Sequence, residues 1–113
     1  MSMRPKLGQA YRAELDAAKA SEAAGDLDRA FTHLERAHIL GQRHTWAHAH
    51  AHLRMLRIGL RRRDLREVLG QLLRIPAALT KSRIWVPRGN TGGSNVSAFK
   101  PMPVPVDLKP YLD

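Results

Sequence analysis

Two fifteen-residue segments of this chain line up at an offset of 38: GDLDRAFTHLERAHI, residues 25–39, and RDLREVLGQLLRIPA, residues 63–77. Each places an aspartate ahead of apolar residues spaced three and four apart, the pattern of an amphipathic helix with a capped start. Gly25 ends one helix and Asp26 caps the next. Asp64, three residues before Glu67, resembles a capping box. The alanine-dense stretch 7–24 supplies a first helix, and residues 27–40 supply a second. Thr45 caps a third helix that reaches Arg62. Leu65, Val68, Leu69, Leu72 and Ile75 carry a fourth, which Pro76 kinks or ends.

Repeated helical pairs with small residues at Ala18, Ala30 and Ala37 are tetratricopeptide-like, although the offset is a few residues longer than that repeat usually shows. The expected fold is therefore all-α: a four-helix, two-hairpin tetratricopeptide-like array over residues 7–79, within a single domain spanning 1–113. An extended Pro/Gly-rich C-terminal tail, residues 80–113, packs across it. Trp85, Val86, Val96, Phe99, Met102, Val104 and Leu108 are the expected anchors of that tail, since a disordered linker has no need of them. Two pairs fall short of the three repeats a stable array needs. The tail or a second copy of the chain must supply the missing cover.

Composition narrows the function classes. The chain has no cysteine, so it has neither a disulfide framework nor a thiolate metal site. No apolar run is long enough for a membrane span or a secretory signal, and a cytoplasmic location is expected. Lysine and arginine number 19 against 10 acidic residues, and the excess is concentrated. No acid lies between Glu35 and Asp64, an interval holding seven arginines. Arg54, Arg57, Arg61 and Arg62 form a basic face that either is simply solvated or binds a partner. Nucleic acid is disfavoured, because no aromatics interleave with the arginines as a stacking platform. The turn GNTGGSN, residues 89–95, lacks the lysine and hydroxyl of a phosphate-binding loop.

The chemical lead is HTWAHAHAH, residues 44–52, which holds four of the six histidines. On a helix advancing about 100° per residue, its alternation dissolves. His50 joins Arg54, Arg57 and Arg61 on an outward arc. His44, His48 and His52 lie one turn apart, between an apolar flank of Trp46, Ala49, Leu53, Leu56 and Leu60 and another of Ala47, Ala51, Met55 and Ile58. On the second helix His38 sits between Phe31 and Leu34, while His33 points to the polar side. A short loop makes the two helices antiparallel neighbours. His38, His48 and His52 can then meet, with His44 or Glu35 in reach.

Two histidines four apart on one helix leave the same face and can share a metal, with a third from the neighbour completing a three-histidine set. Neutral imidazole suits zinc, copper, nickel or iron, and Met55 on the same stripe would favour copper. Haem is a further candidate without an attachment motif. The competing reading is that these histidines are hydrogen-bonded core residues. No catalytic signature appears: there is no HExxH, no GxSxG elbow and no evident acid–base pair.

The segments RAHILGQ, WVPRGNTGG and PMPVPVDL resemble those of a family of short bacterial proteins, the domain-of-unknown-function family numbered 3703. The resemblance spans nearly the whole chain, and its matching positions include His38, His48 and His52. It implies a compact bacterial protein and no particular activity. Two function classes follow. One is a small soluble protein that binds a transition metal for handling, storage or sensing. The other is a tetratricopeptide-like interaction module with structural histidines and a basic partner-binding face, its partner another protein or a second copy of itself.

Overall fold

The computed structural model describes residues 3–113. It is all-helical, with α1 at Pro5–Ala23, α2 at Leu27–Gly41, α3 at Thr45–Arg61, α4 at Leu65–Lys81 and a terminal turn α5 at Lys109–Leu112. No strand occurs among the described residues. Pro5 opens α1, where a missing N–H costs nothing. Each main helix packs chiefly on its chain neighbours, α1 on α2, α2 on α3 and α3 on α4.

The internal repeat is reproduced in the turns, bond for bond. Gly25 and Arg63, 38 residues apart, both adopt positive φ, at 80° and 56°. The following aspartates both cap: Asp26 accepts from the Arg29 N–H and Asp64 from the Glu67 N–H, each at 3.1 Å. The amides of Asp26 and Asp64 in turn close onto the carbonyls of Ser21 and Gly59, each at 2.9 Å. Equivalent helix-ending geometry thus sets the direction of α2 and of α4.

Several boundaries differ from expectation for identifiable reasons. Glu67 does not complete a capping box, because its carboxylate is turned inward to accept from Gln71 and Ser94. The N-cap of α3 is His44 rather than Thr45, and no side chain caps it. The fourth helix runs through Pro76 to Lys81. Proline removes one hydrogen bond there, while Thr80 Oγ1 donates back to the Pro76 and Ala77 carbonyls.

Two apolar clusters hold the array. One joins Leu7, Tyr11, Ala37, Ile39 and Leu40 to Val104 and Leu108 of the tail. The other joins Ala18, Ala30, Phe31 and Leu34 to Met55 and Ile58. Tyr11 donates from its hydroxyl to the Ala47 carbonyl at 2.7 Å. A Cβ at Gly41 would lie 2.8 Å from the Tyr11 ring, so the ring needs that glycine.

Elsewhere the expected packing is inverted. The buried residues of α4 are Glu67, Gln71 and Ala78, whereas Leu65, Leu69 and Leu72 face outward. Trp46, Leu53 and Leu60 on α3 are likewise exposed. Val104 and Leu108 are buried in the first cluster, whereas Trp85 and Phe99 are exposed. Polar contacts do much of the remaining fastening: Gln42 donates to the Pro87 carbonyl at 2.8 Å, and buried Asn90 donates to the carbonyls of Ser97 and Lys100.

The repeated turn makes a paired test possible. A Cβ at Gly25 meets nothing within 4 Å, so Gly25→Ala isolates the backbone penalty and should lower stability by about 1 kcal/mol. Arg63→Gly removes the same penalty at the cost of a more flexible unfolded chain, and should raise stability by about 0.5 kcal/mol. Urea midpoints of the two variants against the parent decide it; shifts of the same sign would contradict the equivalence of the turns.

Candidate metal centre

The C-terminal part of α2 supplies His38, and one face of α3 supplies His48 and His52. All three are buried. Their Nε2 atoms converge, separated by 2.9 Å (His48–His38), 3.0 Å (His52–His48) and 3.1 Å (His38–His52).

The opposite nitrogens decide what these contacts are. His38 Nδ1 lies 2.8 Å from the backbone carbonyl of Asn90, which can only accept. His52 Nδ1 lies 2.6 Å from Gln71 Oε1. That amide cannot be turned round, because Gln71 Nε2 donates to Glu67 Oε2 at 2.7 Å and to the Gly92 carbonyl at 2.9 Å. His48 Nδ1 lies 2.8 Å from Ser82 Oγ, whose own proton goes to the Ala78 carbonyl. Each ring therefore carries its proton on Nδ1, and each Nε2 presents a lone pair. Three lone pairs about 3 Å apart have no proton between them to share.

Protonation does not relieve this. Burial drives His38 well below the usual histidine range, aided by the neighbouring imidazoles. Burial and His52 bring His48 down to about 3. Burial lowers His52 to about 4, against the opposing hydrogen bond to Gln71. The group is neutral, and its three ring nitrogens lie close enough together to hold a metal ion. An ion there would be held by His38, His48 and His52, three protein ligands that leave a coordination position for water or another ligand.

That surround comes from α4 and the tail, and the histidine pattern alone does not reveal it. Glu67, Gln71, Ala78 and Ser82 share one stripe of α4 at helical spacing, a signal present in the sequence but masked by the stronger leucine pattern. Asn90 and Gly92 belong to GNTGGSN. Gly92 has φ +86°, and a Cβ there would fall 2.6 Å from His38 Cδ2, so glycine lets the tail lie flat on the imidazole. A cavity of about 260 Å³ opens beside the three rings, walled by α4 and the tail.

The other expected site residues lie elsewhere. The convergent group comprises His38, His48 and His52 without His44 or Glu35. Glu35 is half-buried, pushed up to about 6 by burial and by Glu67, with Arg62 opposing. Met55 packs in the second cluster and takes a contact from the Gln71 amide. His33 pairs with Glu14 at 3.0 Å, and His50 is exposed. Much of the arginine face is engaged within the chain. Arg57 and Arg61 meet on Glu22, at 2.7 and 3.0 Å, and Arg62 meets Asp28 at 3.2 Å. Burial pushes the Glu22 carboxyl up, but the two guanidinium groups outweigh it and hold it low.

The family model of DUF3703, described as a protein of unknown function, matches residues 5–112. The chain belongs to DUF3703. No curated protein and no solved structure matches it. DUF3703 brings no activity to assign, so the chemistry rests on the residues of this chain. No helix of this DUF3703 member is long and apolar enough to cross a membrane among the described residues.

The lowered histidine values have a signed consequence. A histidine depressed on folding is neutral in the native state and takes up a proton when the chain unfolds. Its stabilisation is present above the unfolded value near 6.5 and is lost as pH falls toward the folded value. Metal-free protein should therefore show a falling urea midpoint between about pH 7 and about pH 5. A flat midpoint across that interval would mean that the three rings are not buried and neutral together.

Proposed function

We propose that this chain is a transition-metal-binding protein whose ligands are the Nε2 atoms of His38, His48 and His52. One observation carries the reading: all three Nδ1–H groups are held by oxygen acceptors, which leaves three convergent lone pairs. Metal-binding histidines are commonly oriented in this way by a second hydrogen bond. Neutral imidazoles suit zinc, copper, nickel or iron. Haem fits poorly, because nitrogens about 3 Å apart suit a single bare ion rather than the axial positions of a macrocycle. The ion would tie α2 to α3 directly, and α4 and the tail through Gln71, Ser82 and Asn90. That placement supports metal handling or sensing, with loading coupled to tail order.

The test is metal stoichiometry joined to thermal stability. With free metal about 100-fold above Kd, the folded state gains about 2.7 kcal/mol, which corresponds to a rise in Tm of roughly 10 °C. His48→Ala and His52→Ala should abolish stoichiometric binding and this rise, while His33→Ala and His50→Ala should leave both intact. Equal losses from all four would refute the ligand set.

The exposed apolar face of α3 and α4 favours a second, compatible reading: a tetratricopeptide-like interaction module whose partner is a second copy of the chain. Trp46, Leu53 and Leu60 recur every seven residues on α3, and Leu65, Leu69, Leu72 and Leu79 follow on α4. Trp46 and Leu79 border a common depression, so the two stripes adjoin. Each of these seven residues is at least 42% exposed, and contiguous apolar patches of more than a few hundred Å² mark interaction sites. Sedimentation should find a dimer that Leu53→Glu with Leu69→Glu converts to a folded monomer with unchanged metal stoichiometry. A parent that stays monomeric through a concentration series would exclude the second copy and leave the face to a different protein.

A further inference from the structure

The three histidines line a cavity whose charged lining is one-sided. Its wall is largely apolar, formed by Leu73, Ala77, Ala78, Trp85, Val86 and Phe99. The charged side chains that line it are both cationic, Arg74 and Lys81. Lys81 leans over the Phe99 ring at 5.2 Å. Arg74 is the more informative. It is half-buried and donates to two neutral carbonyls, Gly70 at 3.2 Å and Val96 at 3.1 Å. It makes no ion pair with a described residue. A guanidinium has five N–H donors, so several remain for a ligand.

Adding a divalent ion to neutral histidines sharpens the imbalance. Glu67 is the buried acid beside this region, and its carboxylate already accepts from Gln71 and Ser94. Burial lowers the Arg74 value, and the nearby Glu67 carboxylate opposes that shift. A divalent ion bound there and Arg74 would together carry three positive charges against the single negative charge of nearby Glu67, a net positive site. Charge calls for an anionic head, and the wall calls for an apolar body. The cavity of about 260 Å³ corresponds to roughly nine waters at ~30 Å³ each, room for a short chain or a single ring.

We propose that the metal's open position and Arg74 together bind a small apolar monocarboxylate, its carboxylate between ion and guanidinium and its body against Ala77, Ala78 and Trp85. The proposal rests on the metal-binding reading above and adds the class of molecule that the site receives. Carboxylate matches the planar fork of arginine and is an ordinary ligand of first-row metals. A phosphate ester would bring a second charge, for which the lining offers beyond Arg74 only Lys81, already seated over the Phe99 ring.

The experiment uses full-length protein loaded with Co(II), whose visible bands report coordination directly. Co(II) should bind at one equivalent, and hexanoate or benzoate should shift the bands saturably. Acetate should bind tenfold or more weakly, because it buries fewer methylenes. Hexanol, hexylamine and inorganic phosphate should not compete. Arg74→Gln should weaken hexanoate at least tenfold with Co(II) stoichiometry unchanged. Ala77→Phe, which fills the cavity from α4 without touching a ligand nitrogen, should abolish the hexanoate response and retain that to acetate. Bound Co(II) whose bands no carboxylate moves would overturn this inference and leave the metal reading standing. Equal responses to hexanol and hexanoate would overturn the charge argument. Failure to bind Co(II), zinc or copper would overturn the metal reading, and this site with it.

Discussion

Three N–H···O hydrogen bonds on the far side of the imidazoles govern the architecture of the centre. Each acceptor belongs to a different part of the chain: a side-chain amide on α4, a hydroxyl at the end of α4 and a backbone carbonyl in the tail. Together they impose one tautomer on all three rings, and the tautomer in turn makes the convergence of Nε2 atoms electrostatically costly without a cation. Buried polar groups are normally satisfied in pairs. Here the outer nitrogens are satisfied and the inner ones are not.

This centre also accounts for the inversion of α4. A helix with a stripe of leucines ordinarily turns that stripe to the core. In this chain the inward position is taken by Glu67, Gln71 and Ser82, because the histidines require acceptors there and the Gln71 amide requires the Glu67 carboxylate. The leucines are displaced to the outside by that demand. The polar interior and the apolar exterior of α4 are therefore two sides of one arrangement.

What was legible in the sequence follows the range of each interaction. Helix periodicity is local, so the wheel placed His38, His48 and His52 on faces that could meet and put His50 outside. The caps at Asp26 and Asp64 were legible because they reach only three residues. The acceptors at Gln71, Ser82 and Asn90 lie 19, 34 and 52 residues from their histidines, and no spacing rule spans such distances. Glu67 shows how a local rule misleads: its position suited a capping box, but a distant amide and a tail serine claimed the carboxylate. His44 and Glu35 were near enough in the sequence to be candidates, and the geometry groups neither with the three rings. Trp85 and Phe99 read as anchors from their size, yet they border an open cavity.

The two halves of the array share their turns but not their chemistry. At the offset of 38 that equates Gly25 with Arg63 and Asp26 with Asp64, His38 corresponds to Pro76. Helix α4 thus has no imidazole at the position where α2 has His38, and carries there a ring with no N–H to donate. A repeated scaffold of this kind offers one donor set instead of two. The α2 copy provides His38, while the α4 copy, through Gln71 and the Ser82 that ends it, provides the acceptors behind the two rings of α3. Symmetry of backbone, with division of labour between side chains, gives a chain this short both a centre and the shell that surrounds it.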